Sequence, residues 1–165
     1  LDSRPESIRR QVEQSLKNLQ TDYIDLYYQH RIDPNVPPES VAHVMGELIG
    51  EGKIRHWGVS NAPEDYMARA HAVTPLTATE NQYLMVFRQP ERSLFDFCAE
   101  RNIGFVAYSP LGNGFLSGRF NASSKYADGD FRRTMKRFSA DVMTKNQPVL
   151  DFLHELAAAK SATAA

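Results

Sequence analysis

The chain has 165 residues, of which 42% are hydrophobic, 24% charged and 10% aromatic, a composition typical of a globular domain. Nineteen basic and 20 acidic residues give a formal net charge of −1 without a Lys/Arg-rich block, which removes the usual electrostatic basis for binding nucleic acid or a membrane surface. No apolar run reaches the roughly 20 residues that span a bilayer. The single cysteine, Cys98, excludes an internal disulfide and a Cys-rich zinc site, so we expect a cytoplasmic protein.

The first predicted elements are a helix and a strand. Ser3 and Glu6 have the spacing of a capping box, and Pro5 suits a first helical turn. Four apolar residues then recur at helical spacing: Ile8, Val12, Leu16 and Leu19. Residues 22–29 are rich in aromatic and branched side chains, which predicts a buried strand that ends at His30.

The same alternation continues along the chain. A second helical stripe follows a proline-containing loop, and Gly52 is placed to end that helix in a left-handed C-cap. Short strands are predicted at 54–59, 77–81 and 103–108, with helices at 63–72 and 90–101. The spacing between strands is about one strand–helix–strand unit, which predicts an α/β fold with parallel strands alternating with helices.

Residues 112–146 interrupt this alternation. Glycines lie there among polar and basic side chains without sustained periodicity. A loop of this length is uncommon in a compact domain unless it serves as a lid or binding loop, so we predict a long loop with a binding role. A final helix is predicted over residues 146–160.

Functional residues are expected directly after the strands, because the loops at the carboxyl ends of parallel strands build the site in such folds. The positions selected by this rule are His30, Ser60–Asn61, Gln82–Tyr83 and residues 108–112. Taken singly, each position also has a structural interpretation. Asn61 with Glu64 has the spacing of a helix cap, and the other positions suit the end of a strand or a loop.

In order and together, these segments resemble the aldo-keto reductase family over essentially the whole chain. Residues 22–30 (Asp-Tyr-Ile-Asp-Leu-Tyr-Tyr-Gln-His) resemble the family's fourth barrel strand, which ends in an active-site histidine. Residues 51–55 (Glu-Gly-Lys-Ile-Arg) and 58–61 (Gly-Val-Ser-Asn) resemble the signature around its fifth strand. Residues 81–83 (Asn-Gln-Tyr) and 107–112 (Ala-Tyr-Ser-Pro-Leu-Gly) resemble the ends of its sixth and seventh strands.

This resemblance implies that residues 1–165 form a segment of a TIM (β/α)8 barrel, about half of it. It also implies reduction of an aldehyde or ketone with NADPH, or with NADH as the alternative, and without a metal. By position, Ser60, Asn61 and Gln82 would hold the nicotinamide carboxamide, since an amide is recognised by paired donors and acceptors. Tyr108 would stack on the nicotinamide ring.

The implied cofactor site continues beyond the fourth strand of the segment. Its further residues are Ser109, Pro110, Leu111, Gly112 and Arg119. Ser109, Leu111 and Arg119 would lie along the pyrophosphate, where backbone donors and a cation offset its charge. The long loop at 112–146 would then cover the cofactor.

The predicted catalytic residue is His30, which would orient the substrate carbonyl by donating a hydrogen bond. In the family the proton comes from a tyrosine whose pKa is lowered by a lysine paired with an aspartate, and the resemblance puts all three before this segment. None of the seven tyrosines matches the position of that acid. We therefore expect the segment to be inactive alone.

The strand count predicts an incomplete barrel, since a whole one needs about 250 residues. The chain starts with Leu1 instead of Met, so we expect a fragment, a truncated product or a natural half-barrel. Exposed strand edges would pair with a complementary barrel half or lead to self-association. Two functions besides the reductase stay open: a non-catalytic NADP(H)-binding regulatory module, and an open half-barrel that acts only in protein association.

Overall fold

The computed structural model describes residues 1–165 and contains parallel strands that alternate with helices. It divides into two compact units, Leu1–Tyr108 and Ser109–Ala165, and all four strands belong to the first unit. In chain order, the elements are α1 (Pro5–Leu19), β1 (Ile24–Gln29), α2 (Pro38–Gly50), β2 (Ile54–Ser60), α3 (Glu64–Val73), β3 (Ala78–Gln82), α4 (Leu94–Glu100), β4 (Gly104–Tyr108), α5 (Ala140–Lys145) and α6 (Gln147–Ala159).

The sheet has the strand order β1-β2-β3-β4, and every neighbouring pair is parallel. Each strand therefore pairs with the strand next to it in sequence, and a helix lies between them along the chain. In the registers, Gln29 is opposite Val59, and Gln82 is opposite Tyr108. The predicted alternation of parallel strands and helices is confirmed. Strands β1 and β4 each pair on one side only.

The core of the first unit lies where the helices pack against the sheet. The stripe predicted for α1 is buried through Ile8, Val12 and Leu16, whereas Leu19 is exposed. Trp57 on β2 is completely buried, and its indole Nε1 donates to the Thr74 carbonyl oxygen at 3.3 Å. None of the helices has both the length and the apolar composition that crossing a membrane requires.

The two predicted helix caps have opposite outcomes. Gly52 has the expected left-handed φ of +73°, and its N–H donates to the Ile49 carbonyl oxygen at 3.0 Å. The capping box of Ser3 and Glu6 is wrong, because α1 begins without a side-chain cap. Ser3 is instead buried: its N–H donates to Asp33 Oδ2 at 3.1 Å, and its hydroxyl oxygen accepts from Gln29 Nε2 at 3.1 Å.

The helix predicted at 90–101 is broken. A short 3₁₀ helix, Gln89–Arg92, precedes α4, and the chain is non-helical at Ser93 with φ −154°. The Ser93 hydroxyl donates to Glu64 Oε1 at 2.6 Å, so this residue makes a contact with a distant segment instead of continuing a helix. Leu94 and Cys98 are buried as the predicted stripe requires.

The second unit gives the predicted loop 112–146 more structure than its sequence suggests. It contains α5 and three 3₁₀ helices: Gly112–Ser117, Phe131–Thr134 and Lys136–Phe138. Aromatic rings pack edge to face or tilted, with centroids 5.5–6.2 Å apart, in a cluster of Phe115, Phe120, Tyr126 and Phe138. The spacing of these aromatics is irregular, so periodicity does not reveal them. Helix α6 confirms the predicted last helix.

Candidate active site at the carboxyl ends of the strands

Five predicted site residues lie at the carboxyl ends of the four strands. His30 directly follows β1, and Ser60 is the last residue of β2 with Asn61 after it. Gln82 and Tyr108 are the last residues of β3 and β4. Because the strands are parallel and in register, these ends meet at one edge of the sheet.

Asn61 links the ends of two strands and does not cap a helix. Helix α3 begins at Glu64 after Pro63, so the capping interpretation of Asn61 is wrong. Asn61 has a left-handed φ of +54°, and its N–H donates to the Glu80 carbonyl oxygen at 3.0 Å. Its side-chain Oδ1 accepts from the Tyr108 hydroxyl at 3.0 Å, and its Nδ2 donates to Ser60 Oγ at 2.7 Å.

The Ser60 hydroxyl is buried and has a free hydrogen. Only 3% of the residue is exposed. Its Oγ accepts from Asn61 Nδ2 at 2.7 Å, and Arg31 Nη1 lies 3.5 Å away on the same oxygen. No protein acceptor receives the hydroxyl hydrogen itself. Buried polar groups are almost always paired, so this O–H is an exception within the structure. Ser60 itself is not part of the wall of the cavity at the ends of β2, β3 and β4.

A cavity of about 290 Å³ opens among the ends of β2, β3 and β4. This volume is at the lower end of small-molecule sites, so it suits one ring with an attached amide better than a whole dinucleotide. Amide and aromatic side chains dominate its wall, which includes Asn61, Asn81, Gln82, Gln89, Phe87 and Tyr108.

His30 lies apart from this cavity. It is exposed and lines a second hollow of about 280 Å³ together with Tyr28 and Arg31. The structure therefore brings Asn61, Gln82 and Tyr108 to one cavity, whereas His30 lies at the end of the neighbouring edge strand. Arg31 is not among the predicted site residues, although its position directly after His30 places it at the same strand end.

Gly58 allows close packing within the strand that carries Ser60. A Cβ atom at this position would lie 2.6 Å from the Ala78 carbonyl oxygen and 2.6 Å from Cε1 of Tyr28. Only glycine lets the strand and the tyrosine ring approach so closely. The glycine of the Gly-Val-Ser-Asn segment is thus required by packing two residues before the site.

Five of the seven tyrosines have a raised pKa. Burial raises the pKa of Tyr27, Tyr28 and Tyr66 above its ordinary value. A hydrogen bond to Glu91 raises the pKa of Tyr83, and burial raises that of Tyr126 in the second unit. A general acid works best with a pKa near the operating pH, which for tyrosine requires a shift in the opposite direction.

Predicted cofactor residues of the second unit form tight turns. Ser109 has a left-handed φ of +54°, and its carbonyl oxygen accepts from the Gly112 N–H at 2.9 Å. Pro110 and Leu111 are exposed, and the Leu111 carbonyl oxygen accepts two backbone N–H groups. Arg119 is exposed, with its guanidinium 5.9 Å from the Phe120 ring centroid and no salt bridge. Contacts of these residues with a cofactor stay a prediction, as does the covering role of 112–146.

The sequence of this chain matches the family model described as Aldo/keto reductase family over residues 2–165. The chain belongs to the aldo-keto reductase family. It is 38% identical over 155 residues to aldo-keto reductase str7 of Strobilurus tenacellus, covering 92% of this chain and 45% of str7. It is 36% identical over 165 residues to probable aldo-keto reductase 1 of Glycine max, covering 100% of this chain and 47% of that relative. The chain thus spans about half the length of these curated relatives.

Solved aldo-keto reductase structures show the same relationship. The glycerol dehydrogenase AKR11B4 of Gluconobacter oxydans superposes with a TM-score of 0.93 at 29% identity, covering 99% of this chain and 50% of the dehydrogenase. An aldo/keto reductase of Klebsiella pneumoniae in complex with NADP and acetate superposes with a TM-score of 0.67 at 28% identity, covering 95% of this chain and 47% of that structure. The predicted segment of a (β/α)8 barrel is confirmed.

Proposed function

We propose that this chain supplies the nicotinamide-binding part of an aldo-keto reductase that uses NADPH to reduce an aldehyde or ketone to an alcohol. The observation that carries the proposal is the convergence of Asn61, Gln82 and Tyr108 on one cavity at the ends of three adjacent strands, with Ser60 directly before Asn61. Family membership and the NADP complex of the Klebsiella pneumoniae relative support this choice of cofactor. NADH is the alternative to be compared with it.

The chemistry of the site suits a nicotinamide. A carboxamide offers one acceptor oxygen and two donor hydrogens. The unpaired hydroxyl hydrogen of Ser60 suits the oxygen, and the Gln82 and Asn61 side-chain oxygens suit the N–H groups. Tyr108 lines the same cavity with a flat ring on which a nicotinamide would stack. These four residues would hold the reactive end of the cofactor.

Reduction of a carbonyl needs a hydride, a hydrogen-bond donor and a proton. NADPH supplies the hydride when it is bound. His30 orients the carbonyl, because an imidazole N–H can donate to the oxygen on which negative charge grows. The proton donor is supplied by residues other than these 165, a proposal that the raised tyrosine pKa values support. The isolated chain is therefore inactive in turnover.

The active form is a closed barrel. Strands β1 and β4 each pair on one side only, and an unpaired parallel edge in water promotes association. Four further strands, in the same polypeptide or in a complementary one, pair with these edges and hold His30 near the cofactor. Aldo-keto reductase relatives about twice as long as this chain support this arrangement.

The test uses the protein at its full native length. NADPH and NADH binding is followed by nicotinamide fluorescence, and turnover is followed by loss of NADPH absorbance with a panel of aldehydes and ketones. His30→Ala lowers kcat more than it changes the Kd for NADPH, whereas Asn61→Ala impairs both. Asn18→Ala is the matched control, because Asn18 is exposed on α1 and only accepts a hydrogen bond from Gln14.

Three results would contradict the proposal in different ways. If His30→Ala and Asn61→Ala have equally small effects on kcat and on the Kd for NADPH, both residues have only packing roles. Tight NADPH binding without turnover of any carbonyl at native length would favour a regulatory module. Absence of NADPH binding at native length would favour a protein that acts only in association.

A further inference from the structure

Arg31 bridges the ends of β1 and β2. Its Nη1 donates to the His30 carbonyl oxygen at 2.8 Å and lies 3.5 Å from Ser60 Oγ. The guanidinium makes no salt bridge, whereas Arg69 and Arg132 are each paired with a carboxylate. No acidic partner accounts for the position of the Arg31 side chain. Its contacts are a backbone carbonyl and the hydroxyl of a predicted cofactor residue.

We propose that Arg31 is a positioning residue for cofactor binding, which acts by holding the Ser60 hydroxyl with its hydrogen directed toward the ligand. This inference rests on the proposed function and adds to it a residue outside the implied site. A serine hydroxyl has two acceptor lone pairs and one O–H. Asn61 Nδ2 donates to this oxygen at 2.7 Å and Arg31 Nη1 at 3.5 Å, which leaves the O–H without a protein acceptor.

The same side chain links the residue that orients the carbonyl with a residue that holds the cofactor. One nitrogen of Arg31 touches the backbone of His30, which orients the carbonyl, and the side chain of Ser60, which holds the cofactor. A displacement of either strand end therefore moves both groups together. Arginine suits this role because its guanidinium stays charged and offers several N–H donors in a planar arrangement.

The test is a double-mutant cycle in the protein at full native length, with the Kd for NADPH as the measured quantity. Arg31→Met keeps the length of the side chain and removes its donors, and it raises the Kd roughly tenfold in the wild-type background. In the Ser60→Ala background the same substitution changes the Kd by less than about twofold, because the hydroxyl through which Arg31 acts is gone. Arg31→Lys restores binding to within about threefold of wild type, since an ammonium also donates.

Arg92→Met is the matched control. Arg92 is an exposed arginine in the 3₁₀ helix before α4 and makes no salt bridge, so its substitution leaves the Kd unchanged. Circular dichroism and urea denaturation check that every variant is folded. If Arg31→Met does not fold, Arg31→Leu, which also lacks a donor, takes its place in the cycle with the same expectation.

Two outcomes overturn the role of Arg31 alone. One is an equal loss of NADPH affinity with and without Ser60, which means that Arg31 does not act through the hydroxyl. The other is an unchanged Kd for NADPH with a raised KM for a carboxylate-bearing carbonyl substrate, which makes Arg31 a substrate contact. Failure of the wild-type protein to bind NADPH is a separate result and overturns the proposed function together with this inference.

Discussion

The Tyr108 hydroxyl donates to Asn61 Oδ1 at 3.0 Å, joining residues 47 positions apart in the sequence. Strand β3 lies between the strands that carry them, so the bond crosses the end of an entire strand. Asn61 Nδ2 is directed to Ser60 at the same time. The amide of Asn61 is therefore held at both of its ends before any ligand arrives, which is the preorganisation that a binding site needs.

The two functions of Tyr108 can be separated by substitution. Tyr108→Phe removes the hydrogen bond and keeps the ring, so we expect the free energy of unfolding to fall by about 0.5–1.5 kcal/mol. The Kd for NADPH changes by less than about threefold, because stacking is retained. Tyr108→Leu also removes the ring, and aromatic stacking contributes roughly 1–3 kcal/mol, so the Kd rises at least about tenfold. Urea denaturation and NADPH titration measure the two effects, and equal NADPH affinities of the Phe and Leu variants would show that the ring makes no contact.

Gly58→Ala should destabilise the protein strongly. The new methyl group would lie 2.6 Å from a backbone oxygen and from the Tyr28 ring, and overpacking of this kind costs about 1–3 kcal/mol or more. Gly50→Ala is the matched control, because a Cβ at Gly50 has nothing within 4 Å and the residue ends α2. Alanine there stabilises a helix by roughly 0.5–1 kcal/mol. The midpoints of urea unfolding measure the stability of the two variants. Similar midpoints for Gly58→Ala and Gly50→Ala would contradict the expectation.

Tyr66→Phe should lower the free energy of unfolding, because it interrupts a buried chain of hydrogen bonds. The Tyr66 hydroxyl donates to Gln29 Oε1 at 2.9 Å, and Gln29 Nε2 donates in turn to Ser3. Loss of the hydroxyl leaves the buried Gln29 oxygen without a donor, at a cost of about 1–3 kcal/mol. Tyr23→Phe is the control, since Tyr23 is exposed and makes no hydroxyl hydrogen bond, and it changes stability by less than about 0.5 kcal/mol. A Tyr66→Phe variant as stable as the Tyr23→Phe control would mean that the chain contributes little.

The stability of the first unit should depend on the protonation of His71. Burial, and then the positive charge of Arg101, lowers the pKa of His71, and its Nδ1 accepts the Leu76 N–H at 3.1 Å. The folded state therefore favours the neutral imidazole. The resulting stability is fully present above the unfolded pKa of about 6.5 and is lost as the pH falls through the lower folded pKa. Urea denaturation from about pH 8 to about pH 5 should show a steeper loss for the wild type than for His71→Gln, and parallel curves would refute the assignment.

The fold was predictable where local pattern and tertiary structure agree. The strands ending at Gln29, Ser60 and Tyr108 are rich in apolar, aromatic or branched residues, and the more polar β3 falls at the spacing of one strand–helix–strand unit, so the sequence indicates both the number and the order of the strands. The predictions fail where a distant partner changes the role of a residue. Ser3 forms hydrogen bonds with Asp33 and Gln29 and does not cap α1.

In the candidate site, too, the sequence predicts some features and not others. Its residues at the strand ends were predictable from topology and from the family resemblance, whereas the bonds among them were not. Asparagine is a common N-cap residue, but α3 begins after Pro63, and the Asn61 side chain is bonded to Tyr108 instead. The side chain of Arg31 turns back over its own strand end, which no spacing rule describes.

The order of the strands has a consequence for how the molecule forms during synthesis. Since each strand pairs with its predecessor in sequence, every new helix and strand meets a completed edge as soon as it leaves the ribosome. Within the pairings of this sheet, no strand waits for a partner that is translated much later, and the cost of loop closure is similarly modest at each step. The sheet can thus grow in the direction of translation, and the cavity among β2, β3 and β4 takes shape only when the last of these strands has docked.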